Sequence, residues 1–321
     1  MQAVSQKQAP VIPKIATSKG VKQRPLWVTL YGTEGIGKST FAANAPRPIF
    51  LDIESGTYEL DTERWVFNET TQRSTPETWS EIIGALHALE VQPHDYETIV
   101  IDTLDAAESL LHAHICKRDK KGSIEEYGYG KGYVAALDEW RVFVAQVERL
   151  QKHGLTVITL AHASIKNFKD PESDGWDRYQ MKLHTSASGL IRERSSIVLF
   201  GNAEMLAHES KGRVRGVSSG ARFVHTERCA AFDAKNRHGL PARLPLAWDE
   251  FAAAVKAGAP DSPERIQKQI AALLADVGEE TRAKVESAVV GAGGDARRLA
   301  QIADRLKAKI ETSNTSTGDQ S

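Results

Sequence analysis

Eight consecutive residues, Gly32-Thr33-Glu34-Gly35-Ile36-Gly37-Lys38-Ser39, spell G-x-x-x-x-G-K-[ST] directly after the apolar run Leu26 to Tyr31. A glycine-rich turn between a strand and a helix lets successive backbone N–H groups wrap phosphate oxygens where a β-carbon would otherwise collide. The cradle would run from Gly32 through Thr40. Lys38 would reach the β- and γ-phosphates, the Ser39 hydroxyl would face Mg²⁺, and the helix starting near Gly37 would turn its positive end toward the triphosphate.

Hydrolysis needs, in addition, an acid that orients the metal and a group that activates water. Thr98-Ile99-Val100-Ile101-Asp102 reads as a buried strand ending in a carboxylate, which puts Asp102 opposite Ser39 on the metal; an Asp capping the next helix would give the same pattern. The run Ile49 to Gly56 carries Asp52 and Glu54 two apart, on one side of an extended segment. Glu54 is the preferred general base for the attacking water, with a solvated acidic loop end as the plainer account. His162 closes the run Leu155 to Ala161, either as a group touching the γ-phosphate or as a surface histidine. Lys235 and Arg237, in Ala234-Lys235-Asn236-Arg237-His238-Gly239, would either stabilise charge on a neighbouring subunit's γ-phosphate or form a surface basic pair.

These residues need a scaffold that presents strand ends together. Short apolar runs at 26–31, 48–53, 98–102, 155–161 and 196–200 alternate with helical stretches, the pattern of βαβ units and a mostly parallel α/β sheet. Thr75-Pro76-Glu77 predicts a helix start, with Thr75 as N-cap. Further helices fit Ala106 to Lys117 and Val134 to His153. Short segments at 213–217 and 222–226 suggest appended antiparallel strands.

The expected domains are a basic flexible arm at 1–24, an ATPase core at 25–258, a small helical region at 259–311 and an unstructured tail at 312–321. In the 321-residue chain, 41 Lys and Arg against 42 Asp and Glu leave a net charge of -1, so nucleic-acid contact would need local patches. Cys116 and Cys229 are too few for a disulfide framework, and no apolar run approaches the roughly 18 residues of a membrane span, so a reducing cytoplasm is expected.

Taken in order, the P-loop, Glu54, Asp102, the strand ending at His162 and Lys235-Asn236-Arg237 make residues 25 to 245 resemble the RecA core. Leu160-Ala161-His162-Ala163-Ser164-Ile165-Lys166 and Lys235-Asn236-Arg237-His238-Gly239 are similar to the strand-end histidine and KNRFG-type motif of RadA-like proteins. The whole resembles phage-encoded minimal RecA-like ATPases of single-strand annealing, which places the chain in a host cytoplasm. That resemblance implies ATP and Mg²⁺ as ligands and self-association into a ring or filament. It makes Glu54 the catalytic acid and His162 the γ-phosphate sensor, with Lys235 and Arg237 acting across a subunit interface. Single-stranded DNA is the implied partner, with a single-strand-binding protein as a second. The implied DNA loops are 118–133, offering Tyr129 and Lys131, and 163–183, offering Lys166, Lys169 and Arg178. A basic stretch from Lys211 to Arg243 could track a DNA backbone or belong to solvated hairpins. Helicase-like translocation and a nucleotide switch acting on a protein partner are the alternative functions.

Overall fold

In a computed structural model, residue 17 and residues 24–316 are described, apart from 171–172, 211–212 and 260–261; side chains at 169–174, 205–219, 276 and 311–316 are not. The expected arm at 1–24 therefore lies almost wholly outside the described residues.

Six parallel strands form the centre. They are β1 (Trp27–Gly32), β2 (Pro48–Asp52), β3 (Glu63–Arg64), β4 (Thr98–Asp102), β5 (Thr156–Asp170) and β7 (Ile197–Ser210), lying in the order β3-β2-β4-β5-β1-β7. The antiparallel strands β8 (Arg213–His225) and β9 (Arg243–Pro245) extend the β7 edge, and β6 (Ser173–Met181) pairs back on β5. The two short segments expected near 213 and 222 are thus one strand. The architecture is the α/β, mostly parallel sheet with appended antiparallel strands that the alternation of elements implies.

Strand alternation divides the interior into two layers. Trp27 and Tyr31 of β1, Ile99 and Ile101 of β4 and Val157 of β5 face helices α2 (Trp79–Val91), α3 (Leu104–Arg118), α4 (Lys131–Lys152) and α5 (Thr185–Arg194). Their neighbours Val28, Leu30, Val100, Ile158 and Leu160 face α1 (Lys38–Ala43) and α6 (Trp248–Gly258), where Phe41 meets Trp248 and Phe251 edge-on. Burial of these side chains stabilises the fold by about 1.5–3 kcal/mol each.

Helix α2 starts later than Thr75 suggests. Its N-cap is Thr78, which accepts from the Glu81 N–H while the Glu81 carboxylate accepts from the Thr78 N–H. Thr75 is occupied elsewhere, its hydroxyl 2.7 Å from that of Ser55, beside Glu54. Helices α7 (Pro263–Leu273), α8 (Glu279–Ala292) and α9 (Ala296–Ser316) share a separate small core around Ile266, Ile270, Leu299 and Leu306. Helix α9 continues into the stretch read as a tail; residues 317–321 are not described.

Two P-loop glycines are required for different reasons. A β-carbon on Gly32 would stand 2.4 Å from the Gly201 carbonyl oxygen of β7, whereas Gly35 faces open space but has φ +69°. Gly32→Ala is expected to lower the unfolding free energy of the nucleotide-free protein by about 2–3 kcal/mol through overpacking against backbone. Gly35→Ala should cost about 1 kcal/mol through backbone strain alone. Urea unfolding curves that rank the two in the opposite order would contradict this assignment.

Candidate active site

The strand order decides which residues meet. With β5 between β1 and β4, the carboxyl ends of β1, β2, β4 and β5 converge on the P-loop, bringing Lys38, Ser39, Glu54, Asp102 and His162 to one edge. The loop itself turns through Gly35 and Gly37, at φ +69° and +105°. Lys38 is buried, its ammonium donating to the carbonyls of Gly32 at 3.4 Å and Thr33 at 3.1 Å. Burial holds its pKa below the usual lysine value, although the carboxylates of Asp102, Asp105 and Glu54 pull the other way. Both acceptors are weak neutral carbonyls that an anionic oxygen would displace.

Ser39 donates its hydroxyl to Asp102 Oδ2 at 2.6 Å. Asp102 is 4% exposed at the end of an otherwise apolar strand, and burial pushes its carboxyl up to about 6. The Ser39 hydrogen bond opposes that rise, while the Asp52 and Glu54 charges add to it. A hard-oxygen pair whose carboxylate has the Lys38 ammonium nearby but no ion pair among the described residues fits a divalent metal such as Mg²⁺.

Asp52 and Glu54 do not act as a pair. Asp52 is fully buried and consumed by its own turn, accepting from the backbone N–H groups of Gly56 and Thr57 and from the Thr57 hydroxyl at 2.6 Å. That turn, with Ser55 at φ +59°, carries Glu54 across to the Thr103 hydroxyl, which donates to Glu54 Oε1 at 2.6 Å. Thr103 is also the N-cap of α3 and follows Asp102 through a cis peptide.

The residue that sequence reasoning missed is Asp105. One carboxylate oxygen accepts the His162 backbone N–H at 2.9 Å, and the other lies 2.9 Å from His162 Nδ1. Glu54 Oε1 is farther from the same nitrogen, at 3.5 Å. The double contact fixes Nδ1 as the protonated nitrogen and leaves Nε2 as the available one. The Asp105 hydrogen bond and charge raise the His162 pKa against the opposing effect of burial. Burial alone would raise the Asp105 carboxyl, but its contacts with His162 together outweigh that and hold it below the usual carboxylate range. Glu54, Asp105 and His162 lie close enough to hold an ion, yet the Asp105–His162 hydrogen bond and the anchoring of Glu54 on Thr103 account for the closeness. In sequence, Asp105 looks like an ordinary acid in the first turn of α3.

Other expected site residues are placed differently. The Lys235 ammonium donates to the carbonyls of Arg192, Glu193 and Ser195, closing the carboxyl end of α5 within its own chain. Arg237 is exposed, with no hydrogen bond or ion pair recorded to its side chain among the described residues. Arg178, expected at DNA, is 3% exposed on its side chain and bridged to Asp233 at 2.6 Å, so its charge is spent inside the fold. Asp233 also pairs with Arg192 and, through its backbone, with the Tyr31 hydroxyl, tying this segment to β1. The expected 163–183 loop is instead the paired ribbon of β5 and β6, and Lys166 donates to the Leu183 carbonyl at its base. The Lys169 side chain is outside the described set. In 118–133, a 3-10 turn at Ile124–Tyr127 and the first turn of α4 replace open loop. Tyr133 stacks on His184 at 4.0 Å, but Tyr129 is fully exposed between Gly128 and Gly130, with Lys131 exposed beside it.

A family model described as "AAA domain" matches residues 24–238, well over half of the chain. The chain belongs to the AAA domain family. It therefore carries a P-loop nucleotide-binding domain of the AAA type. The SPbeta prophage-derived uncharacterized protein YorG of Bacillus subtilis (strain 168) is 24% identical over 190 residues, 53% of this chain and 53% of that protein. The chain thus spans about half the length of that curated relative. Among solved structures, the flagellar accessory protein FlaH from Methanocaldococcus jannaschii matches with a TM-score of 0.31 and 12% identity, covering 62% of this chain and 76% of that one. No helix among the described residues of this AAA domain protein is long and apolar enough to cross a membrane.

Two outcomes follow from the charges at the site. Asp102 has a pKa of about 6 in the folded protein, above the ordinary carboxylate value of 3.8, so the folded state holds the proton more tightly and stability falls as pH rises through that window. Asp102→Asn is therefore expected to stabilise the nucleotide-free protein at neutral pH by about 1–3 kcal/mol while abolishing Mg²⁺-dependent hydrolysis. A melting temperature at or below that of the parent would refute the assignment. Asp105→Asn should return the His162 pKa toward or below its ordinary value, read by NMR titration of the imidazole, and reduce kcat about tenfold or more.

Proposed function

We propose that this AAA domain is a Mg²⁺-dependent, phage-type ATPase that assembles on single-stranded DNA and promotes annealing of complementary strands, with ATP held where subunits meet. The observation that carries the nucleotide chemistry is the buried Ser39–Asp102 pair beside Lys38, flanked by Glu54 on Thr103 and His162 on Asp105. Bound Mg²⁺ would neutralise phosphate oxygens and orient the triphosphate. Lys38 would exchange its loop carbonyls for phosphate oxygens. Glu54, steered by Thr103, would take a proton from the water that attacks the γ-phosphorus as the bond to the β–γ bridging oxygen breaks. His162 would present Nε2 to the γ-phosphate side.

DNA dependence is supported by what joins this edge to the exposed surface. His162 lies in β5 and its carbonyl accepts the Lys182 N–H just beyond β6, so the sensor histidine forms the base of the β5–β6 ribbon. A shift of His162 on γ-phosphate loss would be passed directly to that ribbon. Tyr129, raised on a glycine-flanked turn beside Lys131, offers one aromatic face and one cation, which suits stacking on an unpaired base next to a phosphate. Arg237 is the cation left to reach a neighbouring subunit's γ-phosphate, since Lys235 is committed to α5. These supports join the similarity to a prophage-derived protein and the resemblance to RecA-like annealing ATPases.

Steady-state ATP hydrolysis should rise at least tenfold with single-stranded DNA and little with duplex, and fall to background in Lys38→Ala and Glu54→Gln. Tyr129→Ala should weaken single-strand binding by about 1–3 kcal/mol without changing the DNA-free rate. Arg237→Ala alone should be inactive, yet recover activity when mixed with Glu54→Gln, because each supplies what the other's interface lacks. A rate indifferent to DNA would move the function to a nucleotide switch with a protein partner on the C-terminal helices.

A further inference from the structure

One arginine reaches the P-loop from the side opposite the acids. Arg222 of β8 sits opposite Ala203 of β7, and its backbone carbonyl accepts the Leu246 N–H at 3.0 Å, so both flanks hold its backbone. From there its Nη1 donates to the Ile36 carbonyl of the P-loop at 3.3 Å. A methyl on Gly37 would stand 3.2 Å from the same nitrogen and 3.6 Å from Leu246 Cδ2. The guanidinium and Leu246 thus form a wall on the Gly37 side of the phosphate cradle.

The charge on this wall is under-compensated. Arg222 is exposed, its side chain makes one long hydrogen bond to a neutral carbonyl, and no carboxylate among the described residues pairs with it. Arg64, Arg73, Arg178 and Arg192 all have shorter bonds to carboxylates or to several acceptors. An accessible guanidinium held against a phosphate cradle with no carboxylate partner is suited to receive an anion.

The topology says which part of the nucleotide that is. Glu54, Asp102 and His162 come from β2, β4 and β5 on one flank of β1, whereas β7 and β8 lie on the other. With the γ-phosphate toward the acids, the remainder of the nucleotide runs toward β7 and β8. We propose that Arg222 binds the α- and β-phosphates of the nucleotide held by its own chain, leaving the γ-phosphate to Lys38, His162 and a neighbour's Arg237. The proposal rests on the nucleotide-binding function proposed above, and makes the α- and β-phosphate contacts independent of assembly.

The test is calorimetric titration of Mg-ADP and of a non-hydrolysable Mg-ATP analogue into the full chain and into Arg222→Ala, Arg222→Gln and Arg222→Lys. Glutamine retains a donor for the Ile36 carbonyl without the charge, so it separates phosphate binding from support of the loop. Affinity for both nucleotides should fall about tenfold or more in Arg222→Ala and Arg222→Gln, with Arg222→Lys intermediate. The KM for ATP should rise in step while kcat at saturation stays within about twofold. Parent-like ADP affinity in a folded Arg222→Gln overturns the proposal, as does a loss confined to the ATP analogue. Failure of the parent chain to bind either nucleotide would overturn the nucleotide-binding reading and, with it, this one; normal parent binding with unaffected variants overturns this one alone.

Discussion

A carboxylate placed at the end of an apolar central strand is the constraint around which this molecule is arranged. Asp102 follows Ile99, Val100 and Ile101, all fully buried, and the sheet leaves it little water. The fold gives it the Ser39 hydroxyl of α1 as a hydrogen-bond donor, while Glu54, held nearby on the Thr103 hydroxyl, adds a like charge. None of these contacts neutralises the charge. The energetic deficit at Asp102 and the affinity of the site for a cation are two expressions of one cause, and such local conflicts are where function is expected to reside.

The strand order converts that local conflict into a site. If β4 lay directly beside β1, Asp102 and the P-loop would be adjacent and His162 would have no place between them. Because β5 intervenes, Gly32 pairs with His162 and Asp102 with Leu160, so the three strand ends step across the edge in register. Asp105, in the first turn of α3, then reaches both the backbone and the ring of His162. On the far side of β1, the close passage of Gly32 over Gly201 brings β7, and with it β8 and Arg222, against the same loop. Acids collect on one flank of the phosphate cradle and a cation on the other.

Much of this was legible in the residues alone, and the parts that were not share a cause. The P-loop, Asp102 and the alternation of strands with helices depend on local pattern, so they can be read in order along the chain. Asp105 and Arg222 depend on which strands lie side by side. Asp105 meets a residue 57 positions away and Arg222 one 186 positions away, contacts that no spacing rule encodes. The same limit explains the misplaced cations. Arg178 and Lys235 look like free basic groups in a polar stretch, but Asp233 and the carbonyls at the end of α5 lie across space, not along sequence. The shift of the α2 start has a similar origin, because Thr75 finds Ser55 before it can cap a helix.

The way those cations are used bears on how assembly and chemistry are connected. Each of Lys235, Arg178 and Arg192 ties the 229–235 segment to α5 or to the ribbon, and the Tyr31 hydroxyl joins it to the P-loop strand. Arg237, two residues beyond that pinned segment, is therefore carried on a support anchored to β1. In the proposed assembly, a neighbour docking on Arg237 would meet a side chain whose base is fixed relative to its own P-loop, so displacement at one interface would be delivered to the next nucleotide site rather than absorbed by a loose arm. The internal role of Lys235 would, in that proposed assembly, be what lets its exposed neighbour act between subunits.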